Sequence, residues 1–224
     1  MSNSHKILFL AASLLLFERC QFQPDTPLTA AAGRGDVAKV GTILDRGAPV
    51  DETGGYGLTP LIAAARGGHI DTVRLLLAKG AAPDRDAGVN GWTPLMHAIH
   101  KAQIGSVRAL LEGGAKVNAR SRSGLTALIM AAGYGYTGIV RTLLDKGADP
   151  YAEMSDGTNA LTVAVSGVMD IDRFTAGECQ AATVTALLKR APDLKLKRTA
   201  LVRLAALSAK VGGCSTVVAL LQGH

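Results

Sequence analysis

Apolar residues in this chain come in short blocks, two blocks to a unit, with glycines between them. The stretch 57–84, GLTPLIAAARGGHIDTVRLLLAKGAAPD, contains most of one unit. Thr59 is placed to cap a helix whose first position is Pro60, where the absent N–H would have had no partner and the fixed φ is already helical. Ala63, Ala64 and Ala65 follow, small enough to let this helix lie close to its neighbours, and Gly67-Gly68 break it. A second helix is predicted from about Ile70 to Lys79, with Val73, Leu76 and Leu77 as an apolar stripe at helical spacing. Gly80 ends it, because glycine takes the left-handed conformation past a helix end without a Cβ clash, and Lys79 in the last turn suits the helix dipole. The segment leading to the next threonine, rich in Gly, Asp and Asn, reads as a turn or β-hairpin finger.

The unit recurs. Thr-Pro-Leu stands at Thr26, Thr59 and Thr93, and related strings continue at Thr126 and Asn159, at intervals of 33, 34, 33 and 33. A second series, Gly47-Ala48, Gly80-Ala81, Gly114-Ala115 and Gly147-Ala148, keeps a fixed distance of 21 from its threonines. Two series in phase mean stacked supersecondary units, none of which buries its apolar face alone. Leu128 and Leu143 are 15 apart, whereas the equivalent Leu161 and Leu187 are 26 apart, so the fifth unit carries an insertion of about 11 residues near 169–180. Thr199 opens a last helix pair that lacks the Gly-Ala ending, as a capping unit would. The expectation is an all-α solenoid of about six helix pairs with short β-hairpin fingers. Its units are about 25–53, 54–86, 88–120, 121–153, 154–194 and 199–224.

The segments Gly57-Leu58-Thr59-Pro60-Leu61, Gly67-Gly68-His69 and Leu76-Leu77-Ala78-Lys79-Gly80-Ala81 resemble the ankyrin repeat over residues 25–161. One departure stands out. The histidine usual after Thr-Pro-Leu, which hydrogen-bonds between repeats in the family, is replaced by Thr29, Ile62, Met96, Ile129 and Thr162. Its loss is expected to weaken coupling between repeats. The resemblance implies a non-enzymatic interaction scaffold whose concave face is built from finger tips and the exposed side of each first helix. At those positions the chain has Tyr56, Leu58, Arg66, Trp92, His100, Lys101, Arg122, Leu125 and Tyr134, which form the expected partner-binding set. Because Arg66, Lys101 and Arg122 are basic, the expected partner is a protein with an acidic surface, and the scaffold is expected to act as a monomer.

Composition narrows the picture. Hydrophobic residues make up 48% of the 224 but aromatic ones only 4%, so Ala, Leu, Val and Ile must fill the thin layers between helices. Of the aromatics, Phe9, Phe17 and Phe22 lie near the N-terminus and most others in fingers or turns, where surface roles are expected. The net charge of +6 is spread among 24 basic and 18 acidic residues; with Asp45, Asp84, Glu112 and Asp145 interrupting any basic stripe, nucleic acid is not an expected partner. Residues 1–20 stand apart: Lys6, an apolar run of 11 from Ile7 to Phe17, then Glu18, Arg19 and Cys20. That run suits a secretory signal better than a membrane-spanning helix, which points to an exported, periplasmic or secreted protein similar to bacterial exported ankyrin-repeat proteins. The alternative is a cytoplasmic protein whose N-terminal helix covers the next unit.

Few residues carry chemistry. Cys179 and Cys214 precede the second helices of adjacent units, on the same edge of the stack, where a disulfide is within reach; two thiols in a reducing cytosol are the alternative. His97 and His100, spaced i, i+3, could present two nitrogens to a metal, but no third ligand follows at zinc-site spacing, so no metal site and no cofactor is expected. No nucleophile elbow, phosphate-binding loop or dinucleotide fingerprint occurs, and the chain is not expected to be an enzyme. A metal- or redox-responsive protein using His97 and His100, or Cys179 and Cys214, is the alternative to a binding scaffold.

Overall fold

The computed structural model describes residues 25–88, 90–166 and 180–195, with Val217, Ala219 and Leu221 of a later helix. The signal-like segment 1–20, the insertion through Cys179, Cys214 and most of the last expected unit lie outside the described residues.

Five helix pairs follow one another: α1 (Pro27–Gly33) and α2 (Val37–Asp45), α3 (Pro60–Gly67) and α4 (Ile70–Ala78), α5 (Pro94–His100) and α6 (Ile104–Glu112), α7 (Ala127–Gly133) and α8 (Thr137–Asp145), α9 (Ala160–Ser166) and α10 (Ala181–Arg190). Each first helix starts where its threonine predicts. The Oγ1 of Thr26, Thr59, Thr93 and Thr126 accepts the backbone N–H three residues on, at 3.1–3.4 Å, and Asn159 does the same with its side-chain oxygen at 2.9 Å. Each second helix of the first four pairs closes through glycine. Gly47, Gly80, Gly114 and Gly147 have φ between 84° and 89°, while a Cβ built at any of them would meet nothing within 4 Å. The requirement there is conformational, not steric. The next residue's N–H bonds back to the carbonyl five residues earlier, as in Ala81 to Leu76 (3.0 Å) and Ala148 to Leu143 (2.9 Å).

The helices form two layers. First helices pack on first helices (α1, α3, α5, α7, α9) and second helices on second helices (α2, α4, α6, α8, α10), with each pair also packed internally. The core between layers is Ala, Leu, Val and Ile with two methionines and Tyr134, and one continuous cluster runs from Leu28 to Val217. The fingers are sparser than hairpins. Among the described residues they contain single antiparallel bridges, Ala87–Trp92, Arg120–Thr126 and Glu153–Asn159, and the finger before α3 is a 3₁₀ turn at Gly55–Gly57.

At the positions of the missing histidine, Ile62, Met96 and Ile129 are buried in the core, and Thr29 and Thr162 hydrogen-bond to their own caps. Polar links between repeats run elsewhere. Asp51, Asp84 and Asn118, at matching positions, accept the backbone N–H of Ala82, Lys116 and Asp149 in the following repeat. In the next finger, Arg122 N–H donates to the Asn90 carbonyl and Ser155 N–H to the Ser123 carbonyl. Nearer the helices, His69 Nε2 lies 3.0 Å from the Gly33 carbonyl, and Gln180 Nε2 donates to the Gly133 carbonyl at 3.1 Å. Backbone groups at repeat boundaries are thus satisfied without the family histidine, through fingers and second-helix caps.

Candidate partner-binding face

The expected binding residues divide by depth. Tyr56, at the tip of the 3₁₀ turn, is 78% exposed with φ of 57°, a left-handed conformation uncommon for a tyrosine. Arg122 is exposed at the turn after the Arg120 bridge. Leu58, Arg66, Trp92, His100, Lys101 and Leu125 are half-buried. Trp92 and Leu125 rest against the core, and Lys101 caps the C-terminus of α5, where a cation opposes the helix dipole.

Tyr134 is only 9% exposed, so the expectation that the aromatics are surface tools fails for it. It lies beneath the face and supports it, because its hydroxyl is 2.9 Å from His100 Nδ1. The rings form a row across the third and fourth repeats. Trp92 lies 5.3 Å from His100, His100 lies 5.9 Å from Tyr134, and Tyr134 lies 5.4 Å from Tyr136. The tilted geometries are those aromatic pairs favour over face-to-face stacking. Three of the expected residues, Trp92, His100 and Tyr134, are therefore in direct contact. Tyr56 belongs to another finger, two repeats from Tyr134.

His97 belongs to this group as well. Its ring is 5.6 Å from Trp92, edge-on, and its buried Nε2 has no hydrogen-bond partner. Burial pushes its pKa down to about 4, helped by the positive charge of Arg66 on α3 and by His100. At neutral pH it is an uncharged, mostly apolar support for Trp92. The metal alternative gains nothing from this geometry: His100 Nδ1 is occupied by the Tyr134 hydroxyl, and no group of three metal-ligating side chains lies among the described residues. Tyr136 extends the row beyond the expected set. Its one signal is the Tyr134-Gly-Tyr136 spacing across the turn between α7 and α8, which brings both rings to the same side.

Among the described residues no helix is long and apolar enough to cross a membrane. The chain matches a family model described as ankyrin repeats in three copies over residues 4–86 and 28–121, and one described as ankyrin repeats in many copies over 110–164. Its relatives include ankyrin repeat and SAM domain-containing protein 6 of Mus musculus, 40% identical over 78 residues (35% of this chain, 9% of the relative). Ankyrin repeat protein nuc-2 of Neurospora crassa is 35% identical over 107 residues (47% and 10%). Ankyrin repeat and KH domain-containing protein mask-1 of Caenorhabditis elegans is 39% identical over 110 residues (48% and 4%). The chain thus spans a tenth or less of the length of these relatives. They come from animals and a fungus and lend no support to the expected likeness to bacterial exported proteins. Repeats of this kind generally mediate protein–protein interaction and typically are not enzymes. With the capped helix pairs, the glycine endings and the two-layer stack, these matches establish that the chain belongs to the ankyrin-repeat family.

Proposed function

We propose that this protein is a non-enzymatic scaffold that holds a protein partner against the face formed by Trp92, His100 and the finger residues around them. The observation that carries the reading is the ring row Trp92–His100–Tyr134. It buries a tyrosine to fix a histidine and a half-exposed tryptophan in place, and such rigid aromatic anchors supply contact area at low entropic cost. Arg66, Lys101 and Arg122 flank the row, which favours a partner with an acidic surface and an association that weakens with salt. The apolar run in residues 7–17 favours action outside the cytosol, as an inhibitor or accessory of an exported protein, with the scaffold monomeric.

The test is recovery of the partner from the source organism followed by binding to purified variants. Trp92→Ala combined with Arg122→Glu is expected to weaken the complex at least a hundredfold with an unchanged circular dichroism spectrum. Undiminished binding by that variant would overturn the proposed face. Sequencing the N-terminus of the native protein in the same sample tests the compartment; retention of residues 1–20 in a cytosolic fraction refutes export.

A further inference from the structure

On the second-helix layer, away from the ring row, α8 and α10 leave a cleft of about 630 Å³ lined by Arg141, Leu144 and Asp145 on one side and by Thr185, Ala186, Lys189 and Arg190 on the other. Arg74, Arg108 and Arg141 occupy one position of successive second helices, and the next residue in that column is Thr185. A parallel column holds Glu112 and Asp145, and the next residue in it is Lys189.

At the first two junctions of this layer an ion pair crosses between repeats. Arg74 pairs with Glu112 at 3.7 Å, and Asp45, in the acidic column, pairs with Lys79 at 2.8 Å. At the α8–α10 junction the pattern inverts. Lys189 stands in the position of Glu112 opposite Arg141, and neither makes an ion pair among the described residues. Arg190 stands at the position of Lys79 opposite Asp145, yet its guanidinium donates to the Leu144 carbonyl at 3.2 Å. Three cations thus share one cleft with a single carboxylate. Each helix C-terminus adds roughly half a negative charge, which offsets only part of the excess.

We propose that this cleft is an anion site that takes the phosphate group of a small phosphorylated molecule. Its volume falls within the range of small-molecule sites, roughly 300–1,000 Å³. Arg141 and Arg190 bring planar donor forks suited to phosphate oxygens, and Lys189 adds a point charge to the same cleft. Leu144 and Ala186 offer an apolar floor for the rest of the ligand. The site is independent of the proposed partner-binding face.

Calorimetric titration of the full chain with inorganic pyrophosphate at low salt tests it. Saturable binding is expected, weakened at least tenfold in Lys189→Glu, which restores the acidic column, and held within about threefold in Lys189→Arg and in Trp92→Ala. The melting temperature of Lys189→Glu is expected to equal or exceed that of the wild type, which separates loss of the site from loss of fold. Co-sedimentation with phosphatidic-acid vesicles, competed by pyrophosphate, would assign the same site to a lipid headgroup; pyrophosphate binding without sedimentation assigns it to a soluble ligand. Equal pyrophosphate affinity in the wild type and Lys189→Glu, or binding of neither probe at millimolar concentration, overturns the proposal.

Discussion

The junction between the third and fourth repeats and the junction between the fourth and fifth solve the same problem with different partners. At the first, Asn118 does both halves of the work: its Oδ1 accepts the Asp149 N–H at 2.8 Å and its Nδ2 donates to the Gly147 carbonyl at 3.1 Å. At the second, the residue in the Asn118 position is Tyr151, which reaches a side chain in place of backbone, its phenol hydroxyl donating to the Asp193 carboxylate. That hydrogen bond raises the tyrosine's pKa and lowers the aspartate's. The helix ending changes too. Gly147 closes α8 with φ of 84°, whereas α10 ends at Ala191 with φ of −139°, in a chain that has just absorbed an insertion. A repeat position tolerates a change of residue as long as a donor still meets an acceptor across the boundary. What is given up is the tight backbone geometry, not the pairing itself.

If both junctions are equally well packed, truncating their equivalent leucines should cost the same. Leu143 and Leu187 are both fully buried. Leu143→Ala and Leu187→Ala are each expected to lose about 2–5 kcal/mol in urea unfolding. A much smaller loss for Leu187→Ala would show that the fifth repeat unfolds separately from the rest.

Acid should separate the regions next. The folded protein binds a proton at His97 only near pH 4, while the unfolded chain does so near 6.5, so folding is favoured in full above about pH 6.5 and progressively less as pH falls to about 4. Relative to His97→Gln, the wild type is expected to lose at most about 3 kcal/mol across that window, measured by urea unfolding at several pH values. A difference between the two proteins that stays flat with pH would contradict the buried neutral imidazole.

The polar links themselves come third. Asn118→Ala removes two bonds to backbone and is expected to cost about 1–2 kcal/mol, whereas Tyr151→Phe, at a solvent-exposed pair, is expected to cost clearly less in the same urea unfolding assay. Equal costs would mean that the single side-chain partner at the second junction contributes as much as the two backbone partners at the first. An effect smaller than that of Asn118→Ala concerns Ala102, which adopts φ of 57° where Gly35, Gly68 and Gly135 stand in the other repeats. Ala102→Gly is expected to raise stability by about 0.5–1 kcal/mol, seen as a higher melting temperature.

Much of the stack was readable before any coordinates. The cap at Thr59 and the ending at Gly80 set helix limits, because capping and left-handed closure depend on a few neighbouring residues. The second helix ends at Ala78, one residue short of the expected Lys79, which serves as its cap. The candidate face was readable only in part. Trp92 and His100 are eight residues apart and Tyr134 is in another repeat, so nothing local announces that the three rings touch or that Tyr134 is buried beneath them.

By itself, the sequence determined the period, the helix pairs, their caps and the thin aliphatic core, since each rests on residues within about one unit. Only the tertiary structure decided which side chains of different units come together: His100 with Tyr134, and Arg141 with Lys189 in the lining of the α8–α10 cleft. Stacking brings together residues more than thirty positions apart, and small changes of register or side-chain length set whether such a pair becomes a bond, a support or an open cleft.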